Sequence, residues 1–153
     1  MKKLQKLEKF RIAFLKEISN LTPDQLNKIP DGFHNNIIWN LAHVVAASQM
    51  IFYRRAGLSL TIDDQYITPF LTGTKPISNL RHEEIINIKE IAIRTIVEMQ
   101  ADFEQNIFTH YIKSENIERV YGIEILTIED ALEFLLYHEG YHMGKVITLK
   151  QFV

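Results

Sequence analysis

The sequence predicts an all-α protein, a four-helix bundle with one short β-hairpin ahead of its last helix. Three observations lead there. Apolar residues recur every three or four positions in four long stretches, as in helices with one buried face. Connections of unequal length separate the stretches and carry the Pro and Gly residues of turns. Helices of this kind must bury their apolar faces against one another, and a bundle is the stable way to do so. At 153 residues the chain is close to the common domain size, so residues 1–153 are expected to form a single domain.

The first helix is expected from Lys2 to Asn20, where Leu4, Leu7, Phe10, Phe14 and Ile18 repeat at helical spacing between lysines and glutamates. Thr22-Pro23-Asp24-Gln25 reads as a capping box with proline at the first helical position, so a short helical turn is expected before the Pro30-Asp31-Gly32 break. The second long helix begins at Asn35 or Asn36, either of which can cap it. It runs to about Ala56, where Gly57 supplies a left-handed stop. Ile37, Ile38, Trp39, Leu41, Val44 and Val45, with Met50 to Tyr53, leave it little polar face, as in a central helix packed on several sides.

From Gly57 to Asn79 the chain carries Pro69, Gly73 and Pro76 without periodicity, which marks a long loop with one helical turn around Thr61 to Tyr66. Ser78 or Asn79 caps the third helix, whose Ile85, Ala92, Ile96, Met99 and Phe103 keep the helical interval to about Ile107. Asn116 to Leu126 is rich in β-branched and aromatic residues around Tyr121-Gly122, hence the hairpin. Thr127, with Asp130 three residues on, opens the last helix, which continues through Ala131, Phe134, Leu135, His138, His142, Val146 and Leu149.

Composition narrows the function. A 46% apolar, 24% charged chain is ordinary for a globular protein. The net charge is −2, and Lys and Arg are dispersed among Asp and Glu, so no stripe suits a nucleic acid or an anionic membrane. Lys2, Lys3, Lys6 and Lys9 are interrupted by acids and read as a solvated helix face. No signal peptide and no run of eighteen apolar residues is evident, and a cytoplasmic, unprocessed protein is expected. There are no cysteines, which leaves nitrogen and oxygen as metal ligands.

Histidine supplies the nitrogen. His138 and His142 are four residues apart on the apolar stripe of the last helix, so their Cβ atoms stand about 5–6 Å from each other and both rings can lean toward one point. Burying two imidazoles without partners costs several kcal/mol, and a metal ion satisfies both. A backbone carbonyl or water for each ring would do so as well. His43, about a hundred residues earlier among core residue types, is the candidate third ligand from a second helix. Three imidazoles leave a metal one open position, as catalytic sites require. His34, His82 and His110 sit at helix ends or in loops and read as surface residues, with His34 placed for a cleft mouth.

His138-Glu139-x-x-His142 also satisfies the zinc-peptidase string, in which the glutamate is the general base. The residues after His142 argue against a peptidase. None of them is His, Asp or Glu, and Lys145 and Thr148 stand where a metzincin has Gly and His. Glu139 is retained as a catalytic candidate for proton transfer, although neighbours on a helix point about a hundred degrees apart. Its other reading is to hydrogen-bond a neighbouring element or orient a ligand histidine.

The order of Trp39-Asn40-Leu41-Ala42-His43 on the second helix, a loop, a third helix, and His138-Glu139-x-x-His142-x-Gly144 near the end resembles the DinB-like (DinB/YfiT) metalloprotein superfamily. That resemblance implies a bundle, commonly a homodimer, that holds a divalent ion such as zinc or nickel through His43, His138 and His142. Lys145 departs from the pattern, because similar proteins often have glutamine there. Similar proteins include transferases and isomerases that use low-molecular-weight thiols, and metal-dependent hydrolases. A metal-dependent enzyme is therefore expected, one that activates a thiol or water against a small-molecule substrate. The alternative is a metal-binding or stress-response bundle without catalysis. Tyr137, Tyr141, Trp39, Met50 and Tyr53 are either pocket lining or plain core, and the pocket is expected to open toward the 57–79 loop.

Overall fold

The computed structural model describes residues 3–153, so Lys2 lies outside the described residues. The described residues are all-helical, with six α-helices among them: α1 Lys3–Glu17, α2 Pro23–Asn27, α3 Ile37–Ser48, α4 His82–Glu104, α5 Glu115–Tyr121 and α6 Ile128–Leu149. Helix α1 packs on α4 and α6, and α3 packs on the same two, so the long helices alternate around a common core. No helix is long and apolar enough to cross a membrane among the described residues.

The caps form where the sequence places them, with one exception. Thr22 and Gln25 exchange capping hydrogen bonds at α2. Asn36 caps α3 by accepting from Trp39 N at 2.8 Å, and Thr127 and Asp130 cap α6. Helix α4 is capped later than expected, at Arg81, whose backbone N–H donates to Glu84.

The second long helix changes its winding. After Ser48 it continues as a π-helical turn, Gln49–Tyr53, then a 3₁₀ turn, Arg54–Ala56, and stops at Gly57 with φ 73°. Two further 3₁₀ turns, Asp64–Tyr66 and Thr68–Phe70, organise the loop beyond it.

The expected β-hairpin is corrected: Glu115–Tyr121 is the helix α5, and no strand occurs among the described residues. Ser114 caps it, Glu115 and Glu118 lie in its first turn where the helix dipole favours acids, and Gly122 ends it with φ 66°. Gly122 is thus a helix stop instead of a hairpin turn. Of the β-branched residues in α5, Ile117 is buried against the core, whereas Val120 is exposed.

The apolar core has two parts. One gathers Phe14, Ile18, Ile37, Leu41, Ile85, Ile88, Val146 and Leu149. The other gathers Leu4, Leu7, Phe52, Ile96, Met99, Ile128 and Leu135. Along α1, α4 and α6 the positions between these clusters include Arg11, Thr95, His138, Glu139 and His142, all buried. A polar layer therefore cuts across the middle of the helical core, and the three histidines belong to it.

Candidate metal centre

Helix α3 brings His43, and α6 brings His138 and His142, to one place. One ring nitrogen from each lies within 4.8 Å of the others, and the residues are 5, 8 and 6% exposed in that order. His43 Nε2 stands 3.3 Å from His138 Nε2. Two nitrogens each about 2.0–2.1 Å from a tetrahedral ion are about 3.4 Å apart, so this spacing fits a shared ligand set. His138 Nδ1, the ring nitrogen turned away from that pair, is buried without a hydrogen-bond partner, an orphan of the kind a water satisfies.

Two of the rings are held in a fixed tautomer. His43 Nδ1 is 2.6 Å from Phe70 O, a carbonyl that can only accept, so Nδ1 carries the proton and Nε2 keeps its lone pair. His142 Nδ1 is 2.8 Å from Asn40 Oδ1. The Asn40 amide is oriented by its own Nδ2, which donates to Asn36 O at 2.7 Å, so Oδ1 must accept and His142 also presents a bare Nε2. Asn36 in turn donates to Asn27 O at 2.9 Å, which ties the His142 ring back to α2. Outer partners of this kind fix ring orientation and raise ligand basicity.

Electrostatics favours the neutral rings a metal needs. Burial lowers His43 below the usual histidine range. Burial, then the neighbouring His43, lower His138 to about 3. Burial together with His138 and His43 lowers His142 to about 2, with Lys145 adding to the effect. Ring contacts complete the enclosure: Trp39 stacks on His43 at 4.7 Å and 8°, and the Tyr141 ring meets His142 edge-on at 5.1 Å.

Glu139 faces a different partner. Its Oε1 accepts from Arg11 Nε at 2.5 Å, and the two side chains are 1% and 0% exposed. The other Arg11 nitrogens donate to Val44 O at 3.0 Å and to Ala92 O at 3.1 Å. One side chain of α1 thus grips α3, α4 and α6 together. Burial pushes the Glu139 carboxyl up to about 7, against the pull of the Arg11 guanidinium. The carboxylate is committed to holding helices, beside His138 in sequence but turned to another partner.

The remaining candidates separate. Met50 shares the wall of a cavity of about 190 Å³ with His43 and His138. Leu71 and Thr72 from the 57–79 loop form part of that wall, and so do Asn116, Ile117 and Val120 of α5. Tyr53 is core, its hydroxyl donating to Asp102 at 2.6 Å. Tyr137 and Tyr141 are about half exposed, and Lys145 lies over the Tyr141 ring at 5.0 Å. His34, His82 and His110 are exposed, and His34 lines a groove with Asn40, Tyr141 and Lys145.

Sequence reasoning missed Arg11 and the Phe70 carbonyl. Arg11 had a weak signal, as a charged residue falling between the apolar positions Leu7 and Phe14. Asn40 sat inside the motif read for His43 without a role of its own.

A family model described as the DinB superfamily matches residues 6–146. A search of curated proteins finds no match to the chain.

Proposed function

The chain belongs to the DinB superfamily, and from that premise we propose that it is a metal-dependent enzyme whose His43, His138 and His142 hold one divalent ion, zinc or nickel. The observation that carries the reading is the cluster of three buried ring nitrogens within 4.8 Å of one another, two of them on rings whose other nitrogen is already anchored. Three neutral imidazoles would leave a bound ion its full double charge, and the ion would supply acidification of a thiol or water.

The protein's own residues do the rest. Phe70 O and Asn40 aim two of the rings, and the cavity beside His43 and His138 admits a small molecule while its apolar wall limits water. Glu139 and Arg11 hold α6 in register with α3. The reaction class is thiol transfer or hydrolysis, and a peptidase role for Glu139 is disfavoured by its commitment to Arg11. The proposal includes one DinB-like four-helix bundle domain over residues 1–153, acting as a cytoplasmic homodimer on a small-molecule substrate.

Metal analysis by plasma mass spectrometry on untagged protein tests it, with His43→Ala and His142→Ala in parallel and circular dichroism to check folding. Near-stoichiometric metal in the native chain, lost in both folded variants, is the expected result. No metal after incubation with zinc or nickel overturns it.

A further inference from the structure

The cavity that His43 and His138 line has a second polar end. About three helical turns further along the chain from His43, the 3₁₀ turn Arg54–Ala56 places Arg55 in the same wall. Its guanidinium is partly buried, donating to Lys113 O at 3.0 Å and to Ser114 Oγ at 3.4 Å. Both acceptors are neutral. Among the described residues Arg55 forms no ion pair, and no Asp or Glu lines the cavity.

An arginine has five N–H donors in a fixed fork suited to a carboxylate, and two hydrogen bonds leave the fork only partly used. The charge is uncompensated in a pocket whose lining also includes the apolar Met50, Ile51, Ile117 and Phe134, of which Met50 and Ile51 fall between His43 and Arg55 in the chain. The pocket's volume of about 190 Å³ equals roughly six water molecules of liquid, enough for a short chain. Asn116 and Thr72 add neutral polar groups to the wall. The π-helical turn Gln49–Tyr53 carries Met50 and Ile51, which line the pocket, and leads directly into the turn that bears Arg55.

We propose that this pocket takes a small amphiphilic anion, with its donor atom toward the histidine cluster, its apolar chain along the apolar lining and its carboxylate on Arg55. The assignment of the donor end rests on the metal-centre reading; the assignment of the carboxylate end rests on Arg55 alone.

The test is calorimetric binding to the cobalt-loaded full-length protein. The probes are mercaptopropionate, mercaptohexanoate and mercaptooctanoate, each with its thiol at the far end of the chain from the carboxylate, against the mercaptoalcohols of the same lengths. The native protein should prefer the carboxylate about tenfold or more for at least one length. Arg55→Gln should bring the pair to within about twofold, while Arg55→Lys, which keeps the charge, should retain part of the preference. Equal affinity at every length overturns the inference, as does a preference that survives Arg55→Gln. The sulfur-to-cobalt absorption band is read in the same samples. Its absence with every probe counts against thiol binding at the metal, whereas the carboxylate preference still decides the role of Arg55.

Discussion

Arg11 and Glu139 meet at 2.5 Å in the middle of the helical core, where solvent reaches neither side chain. Each adjoins the centre through a chain neighbour: Glu139 follows His138, and Arg11 donates to the carbonyl of Val44, which follows His43. The pair therefore sets how α6 faces α3, and with it the spacing of two histidines on different helices.

Breaking this pair from one side leaves a buried charge without its counterion, a loss of about 3–5 kcal/mol. Arg11→Met alone is expected to lower stability by that amount in urea denaturation. The double variant Arg11→Met, Glu139→Leu should recover most of the loss, because buried pairs are commonly replaceable by apolar residues of similar volume. Equal instability of the single and double variants would rule out charge burial as the cause.

Asn40 acts through His142. Replacing Asn40 with Ala removes the acceptor for His142 Nδ1 and frees the ring to rotate or change tautomer. Zinc affinity is expected to fall about 10–100-fold, measured by competition with a chromophoric chelator, with the helical circular dichroism retained. Unchanged affinity would mean that the amide only fills space.

Trp39 is the only tryptophan, and it stacks on His43. Its fluorescence should report the centre directly. Nickel titration is expected to quench it to saturation at one equivalent, and His43→Ala should abolish that response. Quenching that persists in His43→Ala would place the bound ion elsewhere.

Tyr53 makes the protein sensitive to alkali. Burial, then the hydrogen bond and charge of Asp102, raise its phenol well above the usual tyrosine range. Burial likewise pushes Tyr111 up to about 12. In the unfolded chain both ionise near pH 10, so the unfolded state releases protons that the folded state keeps. The stability these groups contribute is complete below about pH 10 and declines as pH rises, at about 1.4 kcal/mol per pH unit for each. Tyr53→Phe should flatten the fall in melting temperature above pH 10 by roughly half. An unaltered slope would assign alkaline unfolding to other groups.

Most of the helices were legible in the chain because their signals are local. The caps at Thr22, Asn36 and Thr127 depend on side chains reaching backbone three residues away. The pairing of His138 with His142 depends only on helical pitch. The family resemblance, carried by the Trp39–His43 segment and the His138–Gly144 segment, agrees with the match over residues 6–146. The misread segment, Glu115–Tyr121, fails for a related reason: Ile117 and Val120 look like strand residues by type, but the Ser114 cap and the packing of Ile117 outweigh that preference.

The support of the centre belongs to tertiary structure. Phe70 O reaches His43 from a loop 27 positions along, Asn40 reaches His142 across 102 positions, and Arg11 reaches Glu139 across 128. Backbone carbonyls carry no residue identity, and an amide or guanidinium in an apolar helix has no local pattern that names its partner. Only the docking of α1, α3, α4 and α6, with the loop that carries Phe70 folded against α3, brings those donors and acceptors within hydrogen-bond range. It is that packing which places a polar layer, and three histidines with it, in the middle of an apolar core.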